Sequence, residues 1–367
     1  MYNLRVMKAR VAIVHDWLNG MRGGEKVLEC LLDIYPSADI FTLFYSPEKV
    51  SEKISSRKVT ASYLNRLAPA RRWYRHTLPL MPRAVESFDL SDYELVISSS
   101  HCVAKGAIPA PDATHISYVH TPMRYIWDQY PLYFGDMRGP KKWLISRTAT
   151  RLRIWDSASA ARVDRFAANS NFVAWRIRSY YRREAAVIHP PVDTDFFTPG
   201  DGEKEDYFLA VTALVPYKRV DLLVDVFNRT GDPLIIVGTG PQRKALRRRA
   251  RKNIRFESGL PREVLRERFR RARAFVYAGV EDFGIVFAES LACGTPVLAP
   301  GRGGVTDIVS SGKTGILVRE DGPDAFAAAV EEMRGSSFNP EKLRAESLRF
   351  SPERFIQAFP SLAGSIP

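Results

Sequence analysis

The stretch Glu281-Asp282-Phe283-Gly284-Ile285-Val286-Phe287-Ala288-Glu289 sets two carboxylates eight residues apart, with Phe-Gly shortly after the first. An apolar run, residues 274–278, leads in and reads as a strand. The run from Ile285 to Cys293 leads out, reads as a helix and stops at Gly294. Glu281 is therefore expected on a loop at the carboxyl end of a strand, and Glu289 about two turns down the next helix. In a doubly wound sheet, ligands bind at that edge. A helix N-terminus there offers N–H groups to a phosphate, and Gly284 lets the backbone come close, so that Gly284 and Ile285 would present their amides. Two fixed carboxylates can accept hydrogen bonds from vicinal hydroxyls. The combination suits a nucleotide sugar. For Glu289 the plain alternative is a surface helix residue, but Val286, Phe287, Ala288, Leu291 and Ala292 make the helix largely apolar, and a carboxylate there needs partners.

A nucleotide sugar brings a diphosphate whose charge grows as it leaves, and preorganised cations and donors meet that charge best. Lys218 and Arg219 follow the apolar run 208–211 and precede a helix-like run. Read plainly they are a basic first helical turn, yet cations oppose the positive end of a helix dipole, which favours a phosphate partner. His120 ends the run 115–120 beside Thr121-Pro122, so it is either an ordinary loop histidine or a side chain facing a ligand. Gly23-Gly24 opens a helix after the first strand, and Gly303-Gly304 follows the run 296–299. Neither pair is specific alone. No Gly-x-Gly-x-x-Gly follows the first strand, which argues against a nicotinamide enzyme. No Gly-x-Ser-x-Gly elbow is present, and no Asp-x-Asp pair stands on a strand end, where it would hold a metal–diphosphate complex.

Taken in order, these motifs resemble those of the retaining GT-B glycosyltransferases of family 4, also called group 1. The resemblance rests on Glu-x-Phe-Gly-x4-Glu at Glu281–Glu289, Gly23-Gly24-Glu25, the loop Leu214–Asp221 with Lys218, the turn Val237-Gly238-Thr239-Gly240, and Gly303-Gly304, and it spans roughly residues 10–355. It implies a two-domain α/β protein, with Rossmann-like parallel sheets facing a cleft and a C-terminal helix returning to the first domain. Glu281 would contact the donor sugar, Glu289 the ribose, and His120 the reaction centre, with Gly24, Gly284, Ile285, Gly303 and Gly304 lining the donor site. Transfer would retain configuration and need no metal and no cofactor beyond the donor. Where many members carry an Arg shortly before the Lys, this chain has Ala213, which leaves Arg219 as the second cation. The run Ser117–Trp127 with Val215–Arg219 resembles bacterial mannosyltransferases of O-antigen and exopolysaccharide assembly, so GDP-mannose is the first donor expected and a UDP-sugar the second. A UDP-N-acetylglucosamine epimerase on the same fold is a rival reading.

The elements that must position these residues fit that frame. With 367 residues, 45% of them apolar, two domains are the default. Alternating apolar runs and helical stretches argue mostly parallel sheets. Strands are expected at residues 11–15, 40–44, 95–98, 115–120, 166–170 and 187–189, then at 208–211, 234–237, 254–256, 275–277, 296–299 and 315–318. The boundaries read as an acceptor domain over 1–192, a donor domain over 193–345 and a returning helix over 346–367, with Pro190–Asp193 and Thr198–Gly202 as linker. Three scattered cysteines imply a reduced compartment, and residues 1–10 lack an apolar signal core, so a cytosolic chain is expected. Fifty-four Lys and Arg against 41 Asp and Glu give +13 and favour anionic partners. Nucleic acid is not expected, since no recognition motif accompanies the charge. A peripheral contact with an anionic membrane, near a lipid-linked or saccharide acceptor, is expected at Arg71-Arg72-Trp73-Tyr74-Arg75; a partly buried helix with solvated Arg is the equal alternative.

Overall fold

A computed structural model describes residues 9–67 and 74–363. Its contacts divide the chain into two compact units, one of residues 1–191 and 353–367, the other of residues 192–352. The expected membrane patch lies mostly outside the described residues: Arg71, Arg72, Trp73 and the Arg75 side chain belong to it.

The first unit is built on a seven-stranded parallel sheet in the order β3-β2-β1-β4-β5-β6-β7. The strands are β1 Val11–His15, β2 Asp39–Thr42, β3 Val59–Ala61, β4 Leu95–Ser100, β5 Thr114–Val119, β6 Arg165–Ala168 and β7 Ala185–Val187. The helices are α1 Gly23–Ile34, α2 Glu52–Ser55, α3 Met81–Glu86, α4 Tyr130–Phe134, α5 Gly139–Ser159 and α6 Asn171–Tyr181. Central strands covered on both faces are largely apolar, and every residue of β1 and β4 is buried, including His15 and Ser98, Ser99 and Ser100 at their carboxyl ends. Ser170 caps α6 by accepting the Val173 N–H at 3.1 Å. At the N-terminus of α1, Glu25 reaches back to accept the Arg22 N–H at 2.8 Å.

The second unit repeats the plan with six parallel strands in the order β10-β9-β8-β11-β12-β13. These are β8 Phe208–Val211, β9 Leu234–Val237, β10 Ile254–Glu257, β11 Ala274–Val276, β12 Val297–Pro300 and β13 Gly315–Val318. Its helices are α7 Val220–Thr230, α8 Arg243–Arg249, α9 Arg262–Arg271, α10 Ile285–Ala292, α11 Pro323–Gly335 and α12 Pro340–Ser347. The sheet order reverses between β8 and β11, as it does between β1 and β4 in the first unit. At such a switch point, adjacent loops part and open a crevice at the carboxyl ends of the strands.

Thr198 is tied to the second unit by Arg270, which donates to its carbonyl at 2.7 Å and to its hydroxyl at 2.6 Å, while residues 200–202 are exposed. The final helix, α13 Pro352–Ala358, sends Phe355, with Phe359 just beyond it, into the core of the first unit against the Tyr118 ring. Two Rossmann-like parallel-sheet units are thus what the strand pattern led one to expect.

Candidate active site

In the second unit, the loop after β8 runs through a tight turn, Pro216–Lys218, into α7. Arg219 joins them with a left-handed backbone, φ 52°. A side chain at such an angle is strained by roughly 1–3 kcal/mol, and strain of this kind concentrates at ligand sites. The turn delivers Lys218, whose ammonium group pairs with the Glu281 carboxylate. Tyr277, just past β11, donates its hydroxyl to the same carboxylate oxygen, Oε1, and lies 3.3 Å from the Thr212 hydroxyl. Burial first, and then Glu281, pushes the Tyr277 hydroxyl far above its usual range, so it stays protonated and remains a donor. The Lys218 ammonium also lies over the Tyr217 and Tyr277 rings, at 5.1 and 5.8 Å. This cluster sits at the sheet's switch point.

Close backbone packing fixes the surrounding loops. Gly304 donates its N–H to the Glu281 carbonyl at 2.8 Å, and a side chain on Gly304 would strike Asp282 and Phe283. Gly284 takes φ 85°, and its missing side chain leaves room for the Phe287 ring. It stands at the start of α10, whose first turn leaves the Ile285 and Val286 N–H groups without helical partners. Gly279 allows the chain to pass against the Lys218 backbone.

Glu289 lies on α10 as its spacing requires, and is partly buried. Burial pushes its carboxyl up to about 7, with Arg262 opposing and Asp193 adding to the shift. Its carboxylate has no hydrogen-bond or ion-pair partner among the described residues, whereas Arg262 is engaged by Asp193 at 2.7 Å. An acceptor held in this way is suited to ligand hydroxyls. Of the two expected cations, only Lys218 is drawn into the cluster. Arg219 is exposed and forms no ion pair with another described residue.

The switch point of the first unit carries a second polar cluster. His15 ends β1 and lies in register with Ser99 on β4. Its Nδ1 is 3.0 Å from the Ser99 hydroxyl, which is 2.8 Å from Nε2 of His120, the residue after β5. Gly24 lies against both imidazoles: a Cβ there would be 3.5 Å from His15 Cε1 and 3.7 Å from His120 Nε2. Asp16 accepts four backbone N–H groups, from His101, Cys102, Val103 and Ala104, at 2.6–2.8 Å, fixing the loop after β4. His15 Nε2 is buried without a hydrogen-bond partner and 4.0 Å from Glu25 Oε1. Burial, reinforced by His101 and His120, lowers the His15 pKa to about 3, so the ring is neutral at ordinary pH. Asn169 donates to the His120 carbonyl at 2.9 Å.

The structure therefore brings His120 and Gly24 together in one unit, and Lys218, Glu281, Gly284, Ile285, Gly303 and Gly304 in the other. Sequence reasoning missed Tyr277, His15, Asp16 and Ser99. His15 carried the signal that singled out His120, a histidine at the end of a parallel strand. Ser99 carried none.

Comparisons with known proteins bear on the family and the fold. The profile of the group 1 glycosyl transferases matches residues 192–346, and that of glycosyltransferase family 4 matches residues 37–196. The chain belongs to the family 4, group 1 glycosyltransferases. Similar curated relatives include the GDP-mannose-dependent alpha-(1-6)-phosphatidylinositol monomannoside mannosyltransferase of Mycolicibacterium smegmatis, 34% identical over 195 residues, covering 45% of this chain and 51% of that protein. The D-inositol 3-phosphate glycosyltransferase of Kribbella flavida is 32% identical over 200 residues, 46% of this chain and 47% of that protein. The chain thus spans about half the length of the curated relatives it matches. Among solved structures it resembles Anabaena HepE in complex with UDP, with TM-score 0.71 and 15% identity over 97% of this chain and 100% of that one. It also resembles the lipopolysaccharide outer core galactosyltransferase WaaB, with TM-score 0.67 and 16% identity over 97% and 99%. These likenesses are of fold, and this family member has the GT-B fold.

Proposed function

We propose that this protein transfers a hexose from a nucleotide-diphosphate sugar to a hydroxyl of a lipid-linked or saccharide acceptor, in the assembly of a cell-surface polysaccharide. The observation that carries the reading is the convergence of Lys218 and Tyr277 on Glu281 at the sheet's switch point, beside the N-terminus of α10. A cation, a hydroxyl donor, a carboxylate and free helix amides are the groups that a sugar diphosphate needs. GDP-mannose is the first donor in this proposal, supported by the mannosyltransferase relative and the Ser117–Trp127 sequence. A UDP-sugar is second, supported by the UDP complex among the structural neighbours.

In the proposed mechanism the sugar's anomeric carbon loses its bond to the diphosphate oxygen and gains one to the acceptor oxygen. Lys218 and the amides of α10 offset the charge growing on the leaving diphosphate, with Arg219 supplying further positive charge. The acceptor attacks from the leaving-group side, and a departing phosphate oxygen takes its proton, so configuration is retained and no protein nucleophile is required. Glu281 holds sugar hydroxyls, Glu289 those of the ribose, and His120 lies at the reaction centre. No metal enters this scheme.

Thermal melting with GDP-mannose, UDP-glucose and the free nucleotides tests the reading, since a ligand at a hundred times its Kd adds about 2.7 kcal/mol to stability. Stabilisation by one nucleotide class, followed by transfer of labelled sugar to a lipid extract, is expected. No stabilisation by any of them, or release of an isomerised free sugar instead of transfer, overturns it.

A further inference from the structure

Helix α5, Gly139–Ser159, has two apolar sides. One is buried in the first unit through Ala149 and Leu152. It is pinned there by Asp156, which pairs with the buried Lys105 at 2.9 Å and accepts from Trp127 Nε1 at 2.7 Å and the Tyr181 hydroxyl at 2.9 Å. On the outer side Trp143 is 65% exposed, Leu144 59% and Ile154 67%. At 3.6 residues per turn, Trp143, Arg147, Arg151 and Ile154 fall within about 80° of one another and opposite Leu152, a stripe roughly 17 Å long. The Arg147 guanidinium lies 5.8 Å from the Trp143 ring centre. The neighbouring helix α4, Tyr130–Phe134, adds exposed Leu132 and Tyr133.

A fold does not leave Trp, Ile and three further large apolar side chains in water on one helix pair without a use. The charge around them identifies the partner. Arg138, Lys141, Lys142, Arg147 and Arg151 are all exposed, and within residues 130–159 the one exposed acid is Asp136. Aromatic and aliphatic side chains interleaved with Arg and Lys match a bilayer interface, where the rings settle at headgroup depth and the basic heads reach anionic phosphates. No helix among the described residues is long and apolar enough to cross a membrane, and α5, with its many bases, can only lie along one.

We infer that the outer side of α5, with α4, is a docking surface for an anionic lipid bilayer, α5 lying parallel to the membrane. The inference does not depend on the identity of the donor or on transfer.

Co-sedimentation of the full chain with phosphatidylcholine vesicles, with and without phosphatidylglycerol, tests it. Two variants are compared with the parent: Trp143→Ser with Leu144→Ser and Ile154→Ser, and Arg147→Glu with Arg151→Glu. The parent should sediment only with phosphatidylglycerol present, and less so at high salt. Each lost base is worth roughly fivefold in partitioning, so the charge variant should bind at least about 25-fold more weakly. The apolar variant should also lose binding, at any salt. Melting temperatures should be unchanged, because every altered side chain is exposed. Parent-like binding by both variants overturns the proposal, as does loss of binding only on replacing Arg71, Arg72 and Arg75 with Glu. Lipid-independent self-association of the parent that the apolar variant abolishes also overturns it, by assigning the face to a second copy of the chain.

Discussion

Lys218, on the loop after β8, and Glu281, on the loop after β11, form an ion pair although 63 residues separate them. Each was singled out from the sequence for a different part of the donor, one for the diphosphate and one for the sugar. In the proposed reaction a diphosphate arriving there would compete with Glu281 for the ammonium group, and the carboxylate, still held by Tyr277, would turn to accept sugar hydroxyls. Binding and activation of the site are then one event.

Lys218→Ala is expected to lower turnover by about 10²–10³-fold while weakening donor binding much less, because the diphosphate charge it meets grows toward the transition state. Steady-state kinetics set beside donor affinity from calorimetry check this. Parent-like turnover would assign the charge to Arg219 or elsewhere.

Glu289 gives a pH signature. Its carboxyl is raised from 4.5 to about 7, so the folded protein binds a proton there more tightly than the unfolded chain does. This contribution to stability is complete below about 4.5 and is lost as pH rises through about 7. Ribose hydroxyls hydrogen-bond best to the ionised form, so donor binding near pH 6.5 should release protons, seen as a heat that varies with buffer ionisation. In Glu289→Gln that dependence should vanish and affinity should fall by about 1–3 kcal/mol. A buffer-dependent heat that survives in Glu289→Gln excludes this carboxyl as its source.

Strand positions were legible because a strand buried on both faces is apolar along most of its length. The expected spans of β1, β8, β9 and β13 coincide with those observed. The strand β3, three residues at the sheet edge with none buried, gave no such run and was missed. The helix-borne spacing of Glu281 and Glu289 was legible because it is local. The partners of Lys218 and His120 were not, since the order of strands in each sheet, a long-range property, decides which loop ends meet.

Ser99 illustrates the point and can be tested. Its hydroxyl joins His15 to His120, so Ser99→Ala should leave the buried His15 Nδ1 unpaired, at about 1–3 kcal/mol of stability. It should also lower turnover through the orientation of His120. Donor affinity should fall much less, because Lys218, Glu281 and Glu289, the proposed donor contacts other than Gly24, belong to the other unit. Turnover measured well below the melting temperature, and unchanged from the parent, would make this bridge purely structural.

His15 should make the first unit acid-sensitive. Its folded pKa, about 3, lies below the usual 6.5, so its contribution is full above about 6.5 and is lost as pH falls toward 3. Melting curves of the parent should decline across that window, and those of His15→Asn should decline less. Parallel profiles would assign the decline to other groups.

Transfer should persist in excess chelator, since Lys218 and helix amides supply the positive charge in the proposed scheme. Loss of activity that magnesium or manganese restores would add a metal to it.

The second unit is one uninterrupted piece of chain, but the first is interrupted: residues 353–363 supply Phe355 and Phe359 to the core that also holds Tyr118, on the strand leading to His120. During synthesis the first sheet therefore emerges with a gap in its core that only residues made after the second unit can fill. Translation order is thus the reverse of completion order: the part made first is finished last. Pulse proteolysis of residues 192–352 alone and of residues 1–352 should find the former resistant and the latter cut within its first 191 residues, and equal resistance would show that the first sheet closes without its final helix.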